Sequence, residues 1–242
     1  MSIERKVLGT SPSGGDALPV EDVFSTYLYT GNSATQTITN GIDLAGEGGM
    51  VWTKSRGSTA FHYITDTERG AGIALNSNTT LAQVDNQPFY PQAFYSDGYS
   101  YTGTGNVVNN STLDYASWTF RKAPRFFDVV TWTGNGVTNG RTISHSLGVV
   151  PGVILFKQTS GAGGPWSWAQ YSGGTAYWLR LNETSASSFG LTTGGYIAPQ
   201  NATDTYFTAM GNGGVNLNNA NGETYVAYLF ADDPLGANGD DG

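Results

Sequence analysis

The chain has 242 residues and no cysteine, so disulfide bonds and thiolate metal sites are excluded. It has only two histidines, His62 and His145, and neither belongs to a His-x-His or His-Glu-x-x-His pattern. That spacing argues against a zinc site. No Asp-x-Asp-x-Asp-Gly loop offers a calcium site. We therefore predict that the protein binds no metal and needs no cofactor.

Charged residues are also scarce, at 12% of the chain, and acidic residues outnumber Lys and Arg by 19 to 11. Binding to nucleic-acid phosphates requires clustered basic side chains. The densest basic run, residues 121–125, falls between the two halves of the chain and is interpreted as a solvated linker. No nucleic-acid partner is expected.

Long apolar runs are missing as well. No stretch approaches the roughly 20 residues that a membrane-spanning helix needs, and no apolar run follows the charged N-terminal residues as in a secretory signal. We expect no membrane insertion and synthesis in a cytoplasm. No segment combines helical periodicity with capping residues, so no helix is predicted.

What the chain does contain is an internal repeat. Residues 24–32 return as residues 127–135 and residues 49–54 return as 152–157, both at an offset of 103, while residues 115–120 return as 225–230 at an offset of 110. A period of this length is too long for a solenoid unit but matches a complete small β domain. The repeat predicts two tandem copies of one domain.

Each copy contains about seven short segments rich in aromatic and β-branched residues, bounded by Gly, Asn, Asp or Pro. This pattern predicts an all-β protein with two tandem antiparallel β-sandwich domains of jelly-roll or lectin-like type. Asp97 and Gly98 suggest a hairpin turn. The predicted divisions are an extended N-terminal anchoring arm (1–22), repeat one (23–122), repeat two (123–231) and a flexible, acidic, Gly-rich tail (232–242).

The sequence contains no well-supported catalytic motif. No Gly-x-Ser-x-Gly elbow supports a Ser-His-Asp triad. Asp66 and Glu68 are the best candidates for the carboxylate pair of a glycosidase, but Arg69 beside them favours a structural turn with a salt bridge. The corresponding residues 170–174 of repeat two contain no acid. We predict no catalytic residues and a non-enzymatic protein.

A dense group of aromatic residues occurs in repeat two: Trp166, Trp168, Tyr171, Tyr177 and Trp178. Flat rings beside Asn and Gln amides can bind sugars, because the apolar face of a sugar stacks on a ring. Trp166 and Trp168 alternate along one segment and share a face. That face suits a core or a subunit interface better than a sugar site, so these residues are weak candidates for binding a glycan.

Segments along nearly the whole chain resemble, in the same order, tail-fibre-like structural proteins of tailed bacteriophages, especially marine and cyanobacterial ones. The segments are residues 20–32, 48–56, 66–70, 96–99, 118–130, 144–152 and 225–230. The resemblance implies repeated lectin-like or jelly-roll modules displayed on a virion. Such proteins are defined by their repeats, so no catalytic residue is carried over.

The resemblance further implies a homo-oligomer, with a trimer favoured. The turn-rich residues 9–16 suggest an extended arm that attaches the chain to other virion proteins, with a disordered leader as the alternative. Host surface glycans are candidate ligands. Two alternatives remain open: a capsid decoration or head-fibre protein, and a stand-alone carbohydrate-binding module. A glycan-degrading enzyme ranks below both.

Overall fold

The computed structural model describes residues 18–85, 90–102, 107–137, 140–172, 175–181, 202–209 and 218–232. Within these residues the chain is all-β and forms several antiparallel sheets, as the aromatic and β-branched segments predict. One helical turn, α1 (Val20–Val23), leads into the first strand. The predicted extended arm of residues 1–22 therefore ends in a helix, and its residues 1–17 lie outside the described part of the chain.

The described part of the first half has eight strands: β1 (Phe24–Thr30), β2 (Gln36–Thr39), β3 (Gly49–Ser55), β4 (Tyr63–Asp66), β5 (Leu75–Asn76), β6 (Pro91–Tyr95), β7 (Gly98–Tyr101) and β8 (Asp114–Arg121). They form a five-stranded sheet, in the order β1-β8-β3-β4-β5, and a three-stranded sheet, β2-β7-β6. Strands β6 and β7 make a hairpin around Asp97 and Gly98, as predicted.

Seven strands of the second half are described: β9 (Phe127–Thr133), β10 (Arg141–Ser144), β11 (Pro151–Gln158), β12 (Ser167–Ser172), β13 (Thr175–Arg180), β14 (Tyr206–Ala209) and β15 (Thr224–Ala231). Their large sheet has the order β13-β12-β11-β15-β9, which matches the first large sheet strand for strand. The small pair β10-β14 corresponds to β2-β7. The repeat in the sequence is therefore also a repeat in topology.

Three apolar layers hold the four sheets together. One lies between the two sheets of the first half and another between the two sheets of the second half. The third lies between the two five-stranded sheets, with Met50 and Ile64 from one half and Phe127 and Tyr228 from the other. Because side chains alternate along a strand, each large sheet buries one face in its own half and turns the opposite face toward the other half.

A pair of asparagines explains why Thr-Gly-Asn occurs in both repeats. Asn109 accepts a hydrogen bond at Oδ1 from the Asn32 backbone N–H (2.9 Å) and donates from Nδ2 to Asn32 Oδ1 (3.1 Å). Asn219 does the same with Asn135, at 3.1 and 2.9 Å. Gly31 is required because a methyl group there would overlap a backbone carbonyl. We call each pair an Asn clamp; it ties the end of the first strand to the loop before the last strand.

The basic run at residues 121–125 is not a solvated linker throughout. Lys122 Nζ lies 2.7 Å from Glu68 and 3.3 Å from the nearly buried Asp128, and Ala123 is buried. Asp128 also accepts the Ser146 backbone N–H at 2.6 Å. The earlier interpretation is wrong for Lys122 and Ala123, because these contacts fix the path of the chain from one half to the other.

Candidate functional site

A groove of about 350 Å³ opens on the face of the first large sheet that turns toward the second half, at the border of the apolar layer between the halves. It is lined by Trp52, Lys54, His62, Trp118 and Phe120. Its volume falls in the range of small-molecule sites, which combine apolar walls with a few polar groups. We refer to it as the aromatic groove.

Two tryptophans form the floor of this groove. Trp52 on β3 and Trp118 on β8 are register partners in neighbouring antiparallel strands. Their ring centroids are 6.3 Å apart and the rings meet edge to face, at 69°, a geometry that aromatic pairs favour. Both are only partly buried. The alternation along β3 explains this placement, because Val51 and Thr53 take the positions that face the core of the first half.

Phe120 closes one end of the aromatic groove. Its ring lies 4.8 Å from Phe24, 5.5 Å from Phe127 and 5.6 Å from Phe230, measured between centroids. Phe127 and Phe230 belong to the second half. The groove therefore begins where the contact between the two large sheets ends.

Lys54 and His62 supply the polar rim. Lys54 Nζ donates to the carbonyls of Ser58 (2.9 Å) and Ala60 (3.2 Å), which holds the following loop in place. An ammonium group has three N–H donors, so one of them is not used in these two hydrogen bonds. In the described part of the chain Lys54 forms no salt bridge. Burial lowers the pKa of His62, and the charge of Lys54 lowers it further. At neutral pH this imidazole is uncharged, with one donor and one acceptor.

The indole N–H of Trp52 adds an unused donor. It is buried and has no hydrogen-bond partner among the described residues. Buried polar groups in proteins are nearly always paired, and an unpaired one costs free energy. Because this N–H is buried, a ligand in the groove meets the exposed parts of the tryptophan rings and the polar groups of Lys54 and His62.

Two of the predicted glycan candidates lie between the two halves. Trp166 is fully buried, and its Nε1 donates to the Asn76 carbonyl of the first half at 2.8 Å. Lys157 Nζ sits 5.8 Å from its ring centroid. Trp168 is partly buried and packs on the same layer. The face shared by these two tryptophans is used for contact between sheets, so the Trp166 ring has no surface open to a ligand.

The other three candidates, Tyr171, Tyr177 and Trp178, lie on β12 and β13, where the side chains are outside the described part of the structure. The backbone register pairs Trp178 with Ala169, which is the neighbour of Trp168. Because adjacent residues of a strand belong to opposite faces, the positions of Trp168 and Trp178 do not share one. A glycan role for these three residues stays a prediction.

The carboxylate pair of the sequence is split between two ion pairs. Asp66 is fully buried, lies 2.6 Å from Arg69 Nε and accepts the Tyr228 hydroxyl at 2.7 Å. Arg69 Nη2 also donates to that hydroxyl, at 3.1 Å. Glu68 pairs instead with Lys122. Asp66, Arg69 and Tyr228 form what we call the buried triad, which joins the first half to the second and supports the structural interpretation of this turn.

The remaining histidine has a structural contact. His145 is buried and accepts the Leu147 backbone N–H at Nδ1, at 3.2 Å. Among the described residues no three His, Asp or Glu side chains are grouped so that they could hold a metal ion. The helical content of the described chain includes no segment long and apolar enough to cross a membrane.

The fold and the aromatic groove together define a two-repeat, all-β protein with one partly open tryptophan face. The chain belongs to a family of domains of unknown function, DUF7483, whose match covers residues 20–235. This single match spans both repeats and starts at α1. No curated protein and no solved structure matches the chain.

The aromatic groove is not among the sites predicted from the sequence, because its tryptophans lie outside the densest aromatic cluster of the chain. A signal was present in the comparison of the repeats. At the offsets of 103 and 110, Trp52 corresponds to Leu155 and Trp118 to Tyr228. Leu155 and Tyr228 are buried in the layer between the halves. Tryptophan therefore stands in the first repeat where the second repeat has buried contact residues; Trp52 still packs on the edge of that layer and both tryptophans stay partly exposed.

Proposed function

We propose that this protein is a non-enzymatic structural protein of the virion of a tailed bacteriophage, forming a tail-fibre-like appendage. The observation that carries the proposal is the back-to-back stacking of two topologically identical repeats through one apolar layer. In this proposal the repeats are tandem β-sandwich domains of jelly-roll or lectin-like type. Stacking of this kind gives a stiff module, which suits an external appendage, and the resemblance in sequence supports the same role.

The use of charged side chains in the described residues also favours a scaffold over an enzyme. Asp66 and Arg69 are paired and buried, and Lys122 bridges Glu68 and Asp128. An acid or base in catalysis must reach a substrate. These groups instead make contacts that fix the two halves against each other.

The proposed assembly is a homotrimer that attaches to other virion proteins through the N-terminal arm. The route of the chain supports this arrangement, because α1 packs on β1 and β8 and buries Val23. The described end of the predicted arm is therefore anchored on the first half. Closed symmetric association is the general rule for such modules.

The alternatives are a capsid decoration or head-fibre protein and a stand-alone carbohydrate-binding module. One observation favours the carbohydrate-binding alternative as a second candidate: the pair of partly exposed tryptophans in the aromatic groove. This candidate is compatible with an appendage that touches a host surface.

Light scattering coupled to gel filtration tests the proposed assembly. The full chain, of 25.6 kDa, should elute as a stable trimer. A monomer at all concentrations would contradict the tail-fibre proposal and favour the decoration protein. A matched sample lacking residues 1–17 should stay folded, because those residues precede α1 and the buried Val23.

A further inference from the structure

We propose that the aromatic groove is a binding site for a pyranose sugar that carries a carboxylate, such as a uronic acid at the end of a glycan. This inference deepens the proposed function by naming the ligand class, and it rests on that function only for the source of the glycan. The site lies in the first half, and its described lining contains neither Trp166 nor Trp168.

The floor of the groove fits the apolar face of a sugar. Trp52 and Trp118 stand side by side on neighbouring strands, with their centroids 6.3 Å apart. A pyranose presents C–H groups on one face, which pack favourably on an indole ring. Both rings are partly exposed, in contrast to the fully buried Trp166. Leu28, on the same sheet face, is 59% exposed, so the described residues of the second half leave this part of the face uncovered.

The rim selects a sugar over a purely apolar ligand. The neutral imidazole of His62 can donate to one hydroxyl and accept from another. Lys54 keeps one N–H after its two bonds to backbone carbonyls. An apolar ligand would leave both groups desolvated and unpaired, which is unfavourable.

Charge complementarity selects an acidic sugar. The chain carries a formal net charge of −8, yet the described residues that line the groove include a lysine and no acid. Lys54 lies on β3 two residues beyond Trp52, which puts it about 7 Å along the strand on the same face. That distance is within reach of a substituent on a sugar stacked over the tryptophans. The free N–H of Lys54 therefore matches a carboxylate.

The test titrates the full chain with methyl β-glucuronide and with methyl β-glucoside, followed by tryptophan fluorescence and saturation-transfer NMR. Both sugars should bind, and the glucuronide should bind about two- to fivefold more tightly, the range expected for a partly solvated ion pair. Lys54→Gln should remove this preference, because it weakens the glucuronide more than the glucoside.

Substitutions of Trp118 test whether the sugar stacks on the floor of the aromatic groove. Trp118→Ala should weaken both sugars about tenfold, because it removes a stacking partner. Trp118→Phe keeps an aromatic ring, so its affinity for both sugars should fall between those of Trp118→Ala and the wild type. This intermediate affinity separates loss of stacking from loss of folding. Tyr206→Ala is the matched control, because Tyr206 is an exposed aromatic residue on β14 of the second half; it should leave both affinities unchanged.

Several results would overturn the proposal. Failure of both sugars to bind would refute it without affecting the scaffold role, which the light-scattering experiment tests separately. Equal affinities that do not change in Lys54→Gln would refute the acidic ligand. If Trp118→Ala instead splits an oligomer without changing sugar binding, the occupant of the groove is a second copy of the chain.

Discussion

At the scale of the residue, the repeat puts the same side chain into two different environments. Lys54 and Lys157 correspond at the offset of 103, but Lys54 lines the open groove whereas Lys157 is fully buried. Lys157 Nζ donates to the Gly164 carbonyl and sits over the Trp166 ring. Burial lowers its pKa from 10.5 to about 8.

This pKa predicts how stability depends on pH. Between about pH 8 and 10.5 the unfolded chain binds more protons at this lysine than the folded chain, so its contribution to the free energy of unfolding rises with pH. Lys157→Met should therefore be more stable than the wild type at pH 7, by at most about 3 kcal/mol. The difference should shrink as the pH rises toward 10.5.

Urea unfolding of both proteins at several pH values measures this difference. The buried tyrosines, whose pKa values are raised by burial, are common to both proteins and cancel in the comparison. Parallel stability curves for the two proteins across this pH range would contradict the account.

The sequence could not predict the different fates of the two lysines. Strand periodicity separates the two faces of β3 and β11, but it does not say what covers the outer face. The alternation in residues 115–120 correctly places Trp118 and Phe120 together. Their surroundings depend on how the second large sheet docks, which is a long-range property.

At the scale of the element, the strands follow the sequence closely where aromatic and β-branched residues are dense. Two elements were missed. Strand β6 (Pro91–Tyr95) begins with a proline and is an edge strand, the position where proline is tolerated in a sheet. The turn α1 (Val20–Val23) is too short to show periodicity and has no side-chain cap.

The Asn clamps give a prediction at this scale. Asn219→Ala should cost about 1–3 kcal/mol in the free energy of unfolding, because it removes the hydrogen bonds that this fully buried side chain makes to Asn135 and to the Val137 carbonyl. Asn109→Ala should cost a similar amount in the first half.

Thermal and urea unfolding of the variants measure how much each Asn clamp contributes to the free energy of unfolding. Asn219→Asp keeps the oxygen acceptor but places an unpaired carboxylate at a fully buried position, facing Asn135 Oδ1 and the Val137 carbonyl, so it should cost at least as much as the alanine variant. A cost below about 0.5 kcal/mol for both alanine variants, the level of ordinary surface substitutions, would show that the clamps do not stabilise the repeats.

At the scale of the whole molecule, the third apolar layer and the buried triad turn two repeats into one body. The sequence predicted two tandem units but not their mode of contact. One feature of the sequence pointed to this contact: the aromatic face of residues 166–168 is predicted to belong to a core or a subunit interface rather than to a sugar site. Trp166 is buried at that contact. The buried triad could not be foreseen, because Asp66 and Tyr228 are 162 residues apart.

The two acids of the predicted pair should differ sharply in their effect on stability. Asp66→Asn breaks a fully buried ion pair and should cost about 3–5 kcal/mol, because it leaves the Arg69 charge uncompensated. Glu68→Gln, the matched control, affects a partly exposed pair with Lys122 and should cost less than about 1 kcal/mol.

Urea unfolding of the two single variants distinguishes these outcomes. Neither substitution should alter any glycan-cleaving activity, since the acids are assigned to structure. Equal small costs would contradict the role of the buried triad in joining the halves, and a selective loss of glycan cleavage would revive an enzymatic role.

The central claim is that the chain is a structural component of a phage particle. Quantitative mass spectrometry of purified, intact particles from the source of this sequence tests it most directly. The account predicts that the protein is present in every preparation, at a copy number divisible by three. Its absence from intact particles, with the protein found only in the surrounding lysate, would contradict the claim.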